Sequence, residues 1–363
     1  MFLKPSKIQI AFLGALLSAS IALPMLAQGD HRHLPKGLKA LKETGDAYPV
    51  YVINDAKGHL LVVEHSRNQI LRLVATKKPT VVAGNGSSDY SGDGGIATKA
   101  GLFLMGIALD DAGNLYIADH NHHRIRKVSL DGKIVSIAGT GKAGFSGDGG
   151  LALNAQVNDP AGIAVDKLGN VYIADTYNNR IRKITPDGMI DTIAGDGIEG
   201  HFGDGGFAKR ARLNFPWGIS VTPDNRVLIA DMGNNRIRMI DQSGIIYTIA
   251  GTGRENFTGD GGRAVIAGLA HPQLAVADSQ GNIFVADTNN NRIRKIDAKG
   301  MITTVVGNGL DDGKGDGGDA LKASLSGPYG LSIDLEGNLY IADTGNGRVR
   351  RVRKDGRIES LAL

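Results

Sequence analysis

The chain has 363 residues, 42% of them hydrophobic, with 52 glycines and a formal charge of +4 that falls to +2 without Lys4 and Lys7. This composition suits a core-forming chain rich in turns and excludes a disordered one, and so balanced a charge gives no grounds for a nucleic-acid partner. The absence of cysteine excludes disulfides, thiol catalysis, iron–sulfur ligation and haem attachment through sulfur.

In residues 1–27, Lys4 and Lys7 precede an apolar run from Ile8 to Leu23, followed by Pro24 and the small Ala27. This is the pattern of a secretory signal peptide cut near Ala27 and Gln28, so the expected location is periplasmic or secreted, with no membrane insertion after cleavage. Ser18, Ser20 and Pro24 shorten the run below a comfortable span. Residues 28–48 read as a polar leader with a short helical patch around Leu38 and Leu41.

From Pro49 onward the chain copies one unit, seen clearly in GIAVDKLGNVYIADTYNNRIRKI over 162–184. The Asp of its IAD recurs at Asp119, Asp175, Asp231, Asp287 and Asp343, each 56 residues after the last, and Glu64 stands 55 residues before the first. A GDGG signature keeps the same beat through Asp93, Asp148, Asp204, Asp260 and Asp316. Each unit holds four short β-rich runs bounded by Gly, Asn or Asp: GIAVD (A), NVYIAD (B), RIRKI (C) and MIDTIAG (D). A period of this length built from strands predicts an all-β, six-bladed β-propeller over 49–363, with four-stranded antiparallel blades. Because the first unit starts at strand A and the last ends at strand D, no strand is left to be donated across the seam. Closure then rests on blade 1 packing against blade 6, helped by residues 29–48.

Along strand B, Val171, Ile173 and Asp175 share one face and Tyr172 and Ala174 the other, so Ala174 marks a close blade contact. The B–C loop sets Asp175 opposite Arg180. The same spacing gives Asp119/Arg124, Asp231/Arg236, Asp287/Arg292 and Asp343/Arg348. Because every regular blade repeats the pair, these read as ion pairs that hold the fold and not as catalytic groups. In the connection from D to the next A, Asp148 reads as the N-cap of a short helix whose Ala152 and Ala155 tuck under the blade. The GDGG loops lack the alternating carboxylates of a calcium loop; the last copy, with Asp311, Asp312, Asp316 and Asp319, is the calcium candidate.

Equal blades push recognition onto the positions that differ. Directly before strand A each unit has a Pro-x-Gly-like step whose middle residue faces the channel mouth in this reading, and it varies as Val50, Met105, Ala161, Trp217, Gln273 and Tyr329. Trp217 is the only tryptophan. Met105, Trp217, Gln273 and Tyr329, with Tyr177 from a B–C loop, are the candidate ligand-binding residues, Trp217 and Tyr329 as aromatic anchors. The alternative is that these rings merely plug the channel. His120, His122 and His123, with His65 one blade away, are the one cluster of metal-like composition. His65, His120 and His122 are the candidate zinc ligands, set against solvated loop histidines.

The units quoted above, with GISVTPDNRVLIADMGNNRIRMI and GLSIDLEGNLYIADTGNGRVRRV, resemble NHL repeats, and the long GDGG connections are similar to the bacterial and teneurin-type variety. The match covers about 315 of the 363 residues. The resemblance implies a six-bladed propeller whose binding face carries the B–C and D–A loops. Its relatives range from protein- and RNA-binding modules to extracellular sensor domains and metal-dependent lactonases and lyases. The first unit departs most, since VVEHSRNQILRL replaces YIADTYNNRIRKI. With no Ser/His/Asp elbow and no HExxH, the expectation is an exported, monomeric, non-enzymatic binding or scaffold propeller. It would need no cofactor and recognise a protein, peptide or glycan. The alternative is a metal-dependent, lactonase-like hydrolase or lyase at the channel mouth.

Overall fold

A computed structural model describes residues 47–74 and 77–363. The signal-peptide reading and nearly all of the leader lie outside the described residues. Each unit becomes one antiparallel sheet, and six sheets form the ring. In blade 3 the strands are Pro160–Val165 (A), Val171–Asp175 (B), Arg180–Ile184 (C) and Met189–Ala194 (D). The other five blades span 49–83, 104–138, 216–250, 275–306 and 328–361. The A–B turn is held locally: Asp166 accepts from the amides of Leu168 and Asn170, the Asn170 side chain and the Tyr172 hydroxyl. Gly169 supplies the positive φ, +80°, that this turn requires.

Alternation along strand B distributes the core between neighbours. Val171 and Ile173 are buried with Ala108, Tyr116 and Ile125 of blade 2, whereas Ala174 is buried with Ile219, Val227 and Ile229 of blade 4. Fully burying each branched side chain contributes about 1.5–3 kcal/mol, so every blade face is a small core shared with the next blade. Strands A stand side by side around the axis, from blade 1 through blade 6 and back to blade 1. Their approach requires glycine: a Cβ on Gly218 would lie 2.1 Å from Gln273 O. Blades 1 and 5 break the pattern with Tyr51 and Leu274, and in blade 5 strand A is shortened to Ala275–Ala277.

Among the described residues no strand is donated across the seam. Val52, Leu60 and Val62 of blade 1 pack on Tyr340, Ala342 and Val349 of blade 6, and Ser332 Oγ donates to Asn54 Oδ1 at 2.8 Å. The connections differ from expectation in one respect. Ala152 and Ala155 are fully buried, as expected, but the short helix Ala152–Asn154 is 3-10 and has Leu151 at its N-cap, without a side-chain cap. In blades 3 and 5 the connection adds a two-residue fifth strand, Gly150–Leu151 or Gly262–Arg263, along the outer edge of strand D.

Candidate functional site

The repeated charges come first, because they decide what is left for recognition. Asp175 is paired in register with Arg180, as the spacing implies, yet its ion pair is with Arg182, two residues further along the same face, at 3.3 Å. The same correction applies to Asp119, Asp231, Asp287 and Asp343, whose partners are Arg126, Arg238, Arg294 and Arg350. Arg124, Arg180, Arg236, Arg292 and Arg348 instead donate to loop carbonyls, such as Arg180 to Asp196 O at 2.7 Å. The buried arginines have a second partner in the GDGG carboxylate: Arg126–Asp93, Arg182–Asp148, Arg238–Asp204, Arg294–Asp260 and Arg350–Asp316, at 2.6–2.9 Å. GDGG is thus a clamp tying the connection to its blade. A buried guanidinium between two carboxylates is desolvated but fully opposed in charge. Burial pushes Asp175, Asp231 and Asp287 up to about 6, against the pull of amide, asparagine and arginine donors. In the candidate calcium loop, Asp316 goes to Arg350, Asp312 to Lys314 and Ser324, and Asp319 caps Leu321 N.

The first residue of each B–C loop reaches the next blade. His65 Nδ1 lies 2.7 Å from Leu104 O, His120 Nδ1 3.1 Å from Pro160 O, and Thr176, Thr288 and Thr344 donate to Pro216, Pro328 and Pro49 carbonyls. A carbonyl only accepts, so both histidines carry a proton on Nδ1 and act as threonine equivalents in a ring of inter-blade bonds. Burial lowers the pKa of His65 and takes His120 down to about 4, the neighbouring His65 adding to the effect. His122 is turned to Asp119 Oδ1 at 2.7 Å, the place Asn178 takes beside Asp175. His65, His120 and His122 are therefore not brought to one point. Among the described residues no three His, Cys, Asp or Glu side chains are grouped to hold a metal.

Val50, Met105, Ala161, Trp217, Gln273 and Tyr329 do converge. They line one pocket at the channel mouth, joined by Tyr51 and Leu274. Trp217 is half-buried, and Tyr329 is buried, its hydroxyl pushed well above the usual tyrosine range by desolvation. Tyr177 lies outside the ring, edge-on to Phe215 with centroids 4.6 Å apart.

The residue before the Pro step was not singled out by sequence reasoning. It is Tyr48, Phe103, Asp159, Phe215, His271 and Gly327 around the ring. Asp159, Phe215 and His271 hold φ near +50°, unusual for side-chain-bearing residues. The amides of Phe215 and His271 are held by Asn179 Oδ1 and Asn235 Oδ1 of the preceding blades. Variation at this step was the available signal. With these rings the mouth acquires a continuous arc over blades 1 to 4. It runs from Tyr48 through His65, Phe103, His120, Trp217 and Phe215 to Tyr177, with successive centroids 4.6–6.2 Å apart. Blades 5 and 6 contribute His271 and Gly327 at the corresponding step.

Comparison with known proteins fits this architecture. Residues 139–198, 196–256 and 252–311 match the teneurin NHL domain, and residues 106–128 match the NHL repeat. Teneurin-1 of Gallus gallus is 31% identical over 282 residues, covering 67% of this chain and 10% of the teneurin, so the chain spans about a tenth of that relative's length. Among solved structures, virginiamycin B lyase from Staphylococcus aureus has a TM-score of 0.55 at 17% identity, covering 88% of this chain and 86% of the lyase. An auxiliary nutrient binding protein from Bacteroides thetaiotaomicron has a TM-score of 0.60 at 16% identity, covering 86% of this chain and 69% of that one. At such identities the structural likeness concerns the fold alone. Repeat motif, blade count and family match agree: the chain belongs to the NHL-repeat β-propellers.

Proposed function

We propose that the protein is an exported, monomeric, non-enzymatic binding propeller that captures a peptide, protein or glycan on its loop-bearing face without a metal. The observation that carries this reading is the aromatic arc from Tyr48 to Tyr177. The repeated polar groups, His65 and His120 among them, hold the ring together, whereas Tyr48, Trp217, Phe215 and Tyr177 stay partly exposed along one side of the mouth and depart from the symmetry. Flat amphipathic rings give contact area at low entropic expense, as recognition surfaces require. Two uses of the fold meet among the structural neighbours, nutrient binding and lyase chemistry. Binding is favoured here because His65, His120 and His122 each have a structural partner. Export rests on the Lys4-to-Ala27 pattern, and mass analysis of the mature N-terminus checks it.

The test screens the mature protein on peptide and glycan arrays, then compares it with a Tyr177→Ala/Phe215→Ala variant. At least one ligand should bind and lose about tenfold or more in affinity in the variant, with the thermal midpoint nearly unchanged and no effect of EDTA on the unmodified protein. Ligands held equally well by the variant, or only when a metal is present, would refute the reading.

A further inference from the structure

Inside the aromatic arc, the mouth pocket holds one polar anomaly. Gln273 is 2% exposed, and its amide nitrogen is engaged by Met232 Sδ at 3.1 Å. Its Oε1 has no protein partner. A buried amide oxygen without a donor is unfavourable and rare in native proteins, and where one is kept at a binding cleft it is ready to accept from a ligand. The rest of the wall explains what kind of ligand. Val50, Met105, Ala161 and Leu274 are apolar, Tyr51, Trp217 and Tyr329 are aromatic, and no charged side chain lines the pocket. A cation entering would lose its water without gaining a counter-charge. The free space is about 10 Å³, room for a single small group and not for a whole side chain.

Building on the binding function above, we propose that the channel mouth is a saccharide subsite. A neutral sugar rests a ring face on Trp217 and places one hydroxyl in the pocket, where it donates to Gln273 Oε1. A peptide fits less well, because the free space admits one small group and not a whole side chain, and the wall offers no charge to answer a terminus or a charged residue. Blade 5 is where such a site would arise. Leu274 replaces the glycine found at Gly106, Gly162, Gly218 and Gly330, and strand A there is shortened next to Gln273.

Trp217, as the sole tryptophan, reports directly. Its fluorescence is titrated in the mature protein with chitotetraose, cellotetraose, maltotetraose and mannotetraose, and with an uncharged and a lysine-rich tetrapeptide as counter-probes. At least one tetrasaccharide should give a saturable change, weakened tenfold or more in Gln273→Met. That substitution keeps the volume and removes the unpartnered oxygen, so the thermal midpoint should hold or rise. In the unmodified protein, deoxy analogues of the bound sugar should include one with a comparable loss, which tests the hydroxyl independently of how the variant folds. No saturable change with any saccharide, or equal affinity in Gln273→Met, overturns the subsite. Should only a peptide bind and be lost in Tyr177→Ala/Phe215→Ala, the loop-face function stands and the saccharide assignment falls.

Discussion

Blade 1 and blade 4 perform the same closure with different chemistry. In blade 4, Asp231 accepts from the backbone amide of Asn214 at 2.8 Å, and buried Arg238 joins it to Asp204 of the connection. In blade 1, Glu64 accepts from the amides of Tyr48 and Ser66, and Leu71 stands where blade 4 has Arg238. What the two share is a carboxylate that ties the end of strand B to the residue entering strand A. What blade 1 lacks is the arginine, and residues 1–48 contain no GDGG for one to hold. The carboxylate thus serves the blade, while the arginine serves the connection.

Three substitutions sharpen that comparison. The largest effect is expected from Arg238→Ala, which leaves buried Asp231 without its counter-charge; it should cost about 3–5 kcal/mol in urea unfolding. A loss no larger than that of an ordinary surface substitution would show that the arginine is dispensable in blade 4 as it is in blade 1.

Next is His120→Thr, which copies blade 3 and keeps a donor for Pro160 O. The folded pKa of His120, about 4, lies below its ordinary value of 6.5. Between those values the unfolded chain binds a proton that the folded one refuses, so the stability His120 supports is lost as pH falls from 6.5 to 4. The variant should retain up to about 3 kcal/mol more than the unmodified protein at pH 4 relative to pH 7. Raised pKa values at Asp175, Asp231 and Asp287 act with the opposite sign, but they cancel in this difference. Parallel pH profiles for the two proteins would contradict the assignment.

The smallest effect should come from Asp204→Asn. Asp204 is nearly half exposed, so solvent screening limits the change to at most about 1 kcal/mol, diminishing at high salt.

Much of the candidate site could be read from the letters. A residue at a fixed place in a regular repeat takes the equivalent place in every blade, and the six residues from Val50 to Tyr329 line one pocket. The aromatic arc was only half legible, because Phe103 and Phe215 join it through ring contacts with His65 and Tyr177 of the preceding blades. The histidines misled for a related reason: HNHH suggests a metal by composition, but each ring's partner is fixed by where the chain folds back or by the next blade.

Period and alternation settled the number of blades, the strand register and the face on which each side chain lies, since these depend on spacing along the chain. Only the folded ring decided whether Asp175 would take Arg180 or Arg182, because both lie on the same face of one strand. The choice fell to Asp148, 34 residues before Arg182. A carboxylate brought close through space outweighs a neighbour in register, and no local spacing encodes that approach.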